Sequence, residues 1–172
     1  MFKRIIFTFF LSLTLVGFMS AQRVAIVDIS SLLEKLPEYQ TAQTEIDKVS
    51  ARWRQEISQE YDKIKSLYNK YQAEQVLLSE EVKIEREEEI MNREKEVRDL
   101  QKRRFGPEGD LFRRRQELVS PIQDQVFAAI ENYAQLKGYD LIFDKSGSAG
   151  LIYTSDEYDK TDEIARELGI RN

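Results

Sequence analysis

The sequence predicts an α+β protein, mostly α, in which a small three-stranded β head carries a long projecting antiparallel helical hairpin of coiled-coil type. Two observations support this fold class. The 172 residues include only seven Gly and three Pro and are rich in Glu, Lys, Arg, Gln and Leu, a composition typical of long helices. Short β-branched or aromatic runs at residues 23–28, 139–144 and 151–154 favour one small sheet.

The composition also excludes several kinds of chemistry. The chain has no His and no Cys, so it can form no Ser-His-Asp triad, thiol nucleophile, imidazole or thiolate zinc site, or disulfide. Its 26 basic and 31 acidic residues make a mixed polyampholyte, unlike a nucleic-acid-binding polycation. We therefore expect no enzyme activity, no metal, no cofactor and no nucleic-acid partner.

Residues 1–21 have the features of a secretory signal peptide. Lys3 and Arg4 precede an apolar stretch over residues 5–16, and Ala21 ends a segment suited to cleavage. The alternative is an uncleaved anchor, but the apolar stretch is shorter than the ~20 residues that a membrane-spanning helix needs. We expect cleavage after Ala21 and export of the mature chain.

The first strand is predicted over residues 23–28, and either Ser30 or Ser31 is expected to cap the helix that follows. Pro37 is expected to begin a second helix, because proline fixes φ and lacks an N–H. From Tyr39 to Tyr71 apolar residues recur with a mean spacing of about 3.6 residues, which predicts one long amphipathic helix packed against a partner. At 1.5 Å per residue such a helix extends ~60 Å and must project.

The hairpin tip is placed near residues 76–80. Three consecutive apolar residues at 76–78 break the helical stripe, and Ser79 with two following glutamates forms a good N-cap. The alternative, one helix continuing through Ser79, would give an implausibly long rod. Residues 80–104 are highly charged and predict a solvated second arm with i,i+4 ion pairs such as Glu89 with Arg93 and Glu94 with Arg98.

The segment Phe105-Gly106-Pro107-Glu108-Gly109 is expected to interrupt the second arm. No GxxxxGK phosphate loop is present there, so these glycines are interpreted as backbone geometry. Helix is expected to resume after Asp110 and to end at residues 137–138. A β-hairpin over residues 139–154 and a last helix over residues 162–168, capped by Thr161, complete the prediction.

These elements predict three regions. Residues 1–21 are the signal peptide, residues 22–36 and 118–172 form a β-containing oligomerisation body, and residues 37–117 form the hairpin. Apolar residues at the exposed edges of so small a sheet are expected to be covered by other copies of the chain. These candidate body residues are Val24, Ile26, Leu141, Phe143 and Ile152.

Two groups of residues on the hairpin are candidate contact sites. Aromatic side chains on the first arm and the apolar tip suit an apolar partner. The simpler alternative for the stripe is the seam between the arms, which would bury the tip less readily. These candidate residues are Trp53, Tyr61, Tyr68, Tyr71, Val76, Leu77 and Leu78. Two basic triplets suit an anionic partner such as lipid head groups, although they could instead pair with Glu45, Asp47 or Glu56; they are Lys102, Arg103, Arg104, Arg113, Arg114 and Arg115.

The order of these segments resembles the Skp/OmpH family of periplasmic chaperones. The resemblance is carried by the strand at residues 24–28, the long charged hairpin, the return through residues 138–144 and the terminal helix that begins with residues 159–164. Residues 36–39 and 105–109 are similar to stretches found in one branch of OmpH-like sequences. One departure is the acidic tip, where Glu80 and Glu81 stand although well-known relatives tend to be basic.

The resemblance implies a homotrimer whose strands assemble into a β-barrel body, with three hairpins as tentacles around a cavity. Such proteins hold unfolded outer-membrane proteins without ATP. On this interpretation the apolar hairpin residues are client contacts. The competing interpretation is a non-catalytic structural or adaptor coiled coil of the cell envelope.

Overall fold

The computed structural model describes residues 22–147 and 150–170. The predicted signal peptide lies outside these residues. The chain divides into two compact units. We call residues 22–31 with 128–170 the head unit and residues 32–127 the arm unit.

Long helices dominate the described residues, which confirms the mostly helical prediction. The helices and strands, in chain order, are β1 (Val24–Val27), α1 (Ile29–Lys35), α2 (Pro37–Glu74), α3 (Glu80–Phe105), α4 (Asp110–Lys137), β2 (Leu141–Asp144) and α5 (Thr161–Glu167), with short 3-10 turns at Gln75–Leu77 and Asp156–Tyr158.

In the head unit, β1 and β2 pair in parallel, in a register that places Val24 opposite Leu141. The predicted three-stranded sheet is wrong in one respect, because residues 151–154 form no strand. Ile26 instead makes an isolated bridge with Asp159, and the Lys160 N–H donates to the Ile26 carbonyl at 2.8 Å. The other edge of β1 is therefore occupied by residues 159–160, and Ile152 stays 97% exposed.

The helix caps in the head unit differ from the predicted ones. The carboxylate of Asp28, not a serine, caps α1, because its Oδ1 accepts from the Ser31 N–H at 2.8 Å. Thr161 is the first residue of α5; its hydroxyl donates to Asp159 Oδ1 and accepts from the Asp28 N–H at 2.9 Å. These bonds connect the end of β1 to the start of the last helix, a link between distant residues that local sequence does not signal.

In the arm unit, Pro37 begins the 38-residue α2, and Ser79 Oγ accepts from the Val82 N–H at the start of α3, as predicted. Helix α2 contributes to two apolar clusters. The α2–α3 cluster comprises Ile57, Ile64, Tyr71, Ile90 and Val97, and the α2–α4 cluster comprises Ala42, Ile46 and Val119.

The ion pairs of α3 are partly as predicted. Arg98 pairs with Glu94 at 3.3 Å, as predicted. The prediction that Glu89 pairs with Arg93 is wrong. Glu89 pairs instead with Arg86 at 3.0 Å, and Arg93 pairs with Glu96 at 3.0 Å, both with i,i+3 spacing. Positions three and four apart are both neighbours on a helix, so the spacing alone did not decide between these partners.

Candidate functional site

The four aromatic residues predicted as contacts divide into two buried and two exposed side chains. Trp53 is buried and packs edge-on against Phe105, with ring centroids 6.3 Å apart. Tyr71 is buried in the α2–α3 cluster, and its hydroxyl donates to Glu87 Oε1 at 2.5 Å, a bond that raises the pKa of Tyr71. For Trp53 and Tyr71 the structure places the side chains in the seam between the arms.

Tyr61 and Tyr68 are exposed. Because they stand seven residues apart, they lie on the same side of α2. The Tyr61 hydroxyl donates to Gln101 Oε1 at 3.4 Å, so this side of α2 adjoins the side of α3 that carries Gln101. Tyr71 reaches Glu87, fourteen residues before Gln101 and thus on the same side of α3.

Ile84 and Met91 are further candidate contacts, which were not predicted from the sequence. They are 56% and 59% exposed, and they lie three residues before and four after Glu87, on the same side of α3. With Tyr61 and Tyr68 they are the exposed apolar residues on one side of the arm unit. We call this the apolar side, although Glu87 and Arg98, the latter seven residues after Met91, lie there too. The seven-residue spacing of Ile84 and Met91 could have revealed them, but only once the seam residues Ile90 and Val97 were known.

The other side of the seam is charged. Residues two apart on a helix point about 200° away from each other. Lys63 and Lys70 therefore lie opposite the two tyrosines, and Arg86 and Arg93 lie opposite Ile84 and Met91. Lys63 and Arg93 line a common groove between the arms together with Glu60 and Glu89.

The predicted tip residues are also divided. Val76 and Leu77 are 87% and 88% exposed at the 3-10 turn, whereas Leu78 packs against the α2–α3 cluster. Adjacent side chains this exposed are candidates for contact with an apolar partner.

The basic triplets are half neutralised by acids. Arg104 pairs with Glu56 and Asp110, Arg113 pairs with Asp110, and Arg114 pairs with Glu45 and Glu117. Among the described residues, Lys102, Arg103 and Arg115 make no ion pair and are exposed. Pairing across the arms, the open alternative for these triplets, therefore accounts for Arg104 and Arg114.

The candidate body residues of the head unit lie partly inside it. Ile26 is buried and Val24 half-buried, while Leu141, Phe143 and Ile152 are exposed. Tyr153 and Leu136, which the sequence analysis did not select, are exposed as well. Within the described residues, the outer edge of β2 carries no strand.

Two hydrogen-bonded aspartates stabilise the head unit, and their lowered pKa values allow a prediction of how its stability depends on pH. Burial by itself raises the pKa of Asp159, but hydrogen bonds from Lys145 and Thr161 outweigh it and hold that pKa below its usual range. For Asp144, hydrogen bonds from Ser146 outweigh burial in the same way and lower its pKa. A lowered folded pKa gives stability that is complete above about pH 4 and is lost as the pH falls through that pKa. We expect thermal unfolding midpoints, measured by circular dichroism, to be flat from about pH 7 to 5 and to fall below about pH 4.

The control for this prediction is Asp159→Asn. It should lower the midpoint at neutral pH and make the acid dependence shallower. Parallel pH curves for the two proteins would contradict the assignment.

Two kinds of site are absent from the described part of the chain. Between residues 22 and 170, leaving out 148 and 149, no helix is long and apolar enough to cross a membrane. The same residues contain no group of acidic side chains placed to hold a metal ion.

Comparison with known proteins gives the family. Residues 23–168 match the family described as OmpH: Outer membrane protein (OmpH-like). The chain belongs to this family. A crystal structure named as a candidate OmpH-like outer membrane chaperone from Caulobacter crescentus CB15 matches this OmpH-like chain with a TM-score of 0.69 and 10% identity, covering 87% of this chain and 85% of that one. No curated protein gives a significant match.

Proposed function

We propose that this OmpH-like protein is an ATP-independent periplasmic holdase that binds unfolded outer-membrane proteins and prevents their aggregation. The observation that carries the proposal is the set of exposed apolar side chains on one side and at the tip of the arm unit: Tyr61, Tyr68, Ile84, Met91, Val76 and Leu77. Membership of the OmpH-like family supports it.

The spacing of these side chains suits a client without fixed structure. Seven residues on a helix span about 10 Å, so the two tyrosines on α2, and likewise Ile84 and Met91 on α3, are separated by that distance. An unfolded chain can fill any subset of such contacts, each of which is weak alone. A holdase needs no catalytic group, and we expect no enzyme activity.

A homotrimer completes the proposal. The open edge of β2 and the exposed Leu141, Phe143 and Ile152 support association of the head units, since exposed edges of this character are normally covered. In the proposed assembly, residues 22–36 and 118–172 form a shared barrel body, and residues 37–117 form antiparallel hairpins around a client cavity. A stable folded monomer in light scattering at micromolar concentration would contradict it.

Two further assignments belong to the same proposal. Residues 1–21 direct export to the periplasm and are removed there. The unpaired Lys102, Arg103 and Arg115 form a basic patch that meets anionic lipid head groups during delivery of the client.

The proposal is tested by suppression of aggregation. An outer-membrane β-barrel protein is diluted from urea with and without the mature protein, in the absence of ATP, and turbidity is recorded. We expect suppression that saturates at a fixed stoichiometric ratio.

The competing function, an adaptor that docks a single envelope partner through Val76 and Leu77, is favoured by the exposure of two adjacent apolar side chains at the tip. An adaptor would leave the aggregation curve unchanged. That result would overturn the holdase proposal.

A further inference from the structure

The second arm of the arm unit is built from two helices, although the first is one. Helix α2 continues through its whole length, while α3 ends at Phe105 and α4 begins at Asp110. The α2–α3 cluster holds one piece of the second arm against α2, and the α2–α4 cluster holds the other. Phe105 and Leu111, which flank the break, pack against these clusters, but residues 106–109 belong to neither, so other contacts must hold these four residues close to α2.

The break is a tight turn that only glycine fits. A Cβ on Gly106 would lie 2.4 Å from the Lys102 carbonyl oxygen, and one on Gly109 would lie 2.7 Å from the Arg103 carbonyl oxygen. The Gly106 N–H donates to Lys102 at 2.8 Å and the Gly109 N–H donates to Gly106 at 2.9 Å. These bonds are local and do not reach α2, and Pro107 has no N–H to add, so side chains must connect the break to α2.

Arg104 connects all three helices at this point. Its guanidinium lies 4.7 Å from the centroid of the Trp53 ring on α2. The same group pairs with Glu56 on α2 at 3.6 Å and with Asp110 at the start of α4 at 2.8 Å. Arg104 thus makes one cation–π contact and two ion pairs, each of which contributes only modestly to stability by itself.

The contact also has a built-in weakness. The Nε of Arg104 is buried without a hydrogen-bond partner. A buried donor that has lost water and gained no partner opposes the closed state. Arg104 is thus held by contacts at one end of its guanidinium group and is destabilised at the other.

We propose that Gly106–Gly109 is a joint in the second arm that opens and closes, and that Arg104 is the latch that holds it closed on Trp53, Glu56 and Asp110. Opening releases the break from α2 while the two apolar clusters stay packed. The carboxylates of a bound partner, competing for the same guanidinium, would favour the open joint. The inference goes beyond the holdase proposal and stands without it.

The latch resists acid within the range that proteins usually meet. The hydrogen bond from Arg104, against an opposing effect of burial, lowers the pKa of Asp110, and Arg113 adds to the lowering. Asp110 therefore remains charged well below neutral pH. Opening then depends on competition or thermal motion rather than on protonation.

The chain offers a direct probe, because Trp53 is its only tryptophan. In the mature protein, Arg104→Gln should shift the tryptophan emission to the red and raise quenching by acrylamide about twofold or more. The reason is that the buried Trp53 ring loses the guanidinium group that lies over its face. Amide exchange at Gly106, Gly109 and Arg113 should become about tenfold faster. The matched control is Arg103→Gln, which removes the neighbouring guanidinium that makes no ion pair.

A second variant, Asp110→Asn, breaks the latch from the α4 side and keeps Arg104 on Trp53. It should speed exchange at the same three amides with little change in emission. Equal emission, quenching and exchange for Arg104→Gln and Arg103→Gln would overturn the proposal. So would exchange that rises equally in the α2–α3 cluster, because that pattern marks general unfolding instead of a local joint.

Discussion

Replacing Val97 by aspartate is expected to separate the two arms and to lower the free energy of unfolding by about 3 kcal/mol or more. Val97 is 3% exposed and lies in the α2–α3 cluster with Ile57 and Ile64. A carboxylate there would be buried among apolar side chains. The measurement is the urea midpoint of the mature protein, followed by circular dichroism.

Met91→Asp is the matched control for this change, because it puts the same carboxylate on the same helix at an exposed position. Exposed substitutions usually change stability by less than about 0.5 kcal/mol. Equal loss of stability in the two variants would contradict the assignment of Ile90 and Val97 to the seam. The pair also prepares a functional test, since Met91 lies on the proposed client surface and Val97 does not.

The helices could be predicted because their signals are local. Pro37, Ser79 and the Gly-Pro break each act on their own backbone, and each marks a helix boundary in the structure. The sheet could not be predicted as well. Residues 151–154 have a strand-like composition, but a strand exists only where it pairs with another strand. Within the described residues they pair with neither strand: β1 has β2 on one side and Asp159 on the other, and the outer edge of β2 stays open.

The candidate site was predictable as a set of residues but not as a surface. Apolar spacing placed Tyr61 and Ile64 on one stripe, because positions three and four apart both satisfy a helical period. The structure centres the seam on Ile57, Ile64 and Tyr71, seven residues apart, which leaves the two exposed tyrosines to one side. The centre of a stripe is set by the position of the partner helix, which belongs to the tertiary structure and is not encoded in the local spacing.

The exposed apolar side of the arm unit carries the largest expected effect on activity. Replacing Tyr61, Tyr68, Ile84 and Met91 together by serine should weaken client retention about tenfold or more, since each lost contact removes apolar area that the client would bury. The thermal midpoint should change little, because all four side chains are exposed. The measurements are the concentration of mature protein that halves aggregation of the diluted barrel protein, and the circular dichroism melt.

The structure supplies a control with the same geometry. Lys63, Lys70, Arg86 and Arg93 each follow one of the four apolar residues by two positions and so lie on the charged side. Their exposed ion pairs contribute little to stability, so replacing all four by serine should leave the fold intact. Retention should then stay close to that of the unchanged protein. If the charged-side variant loses retention and the apolar-side variant keeps it, clients are held by charge, and the assignment of the apolar side is wrong.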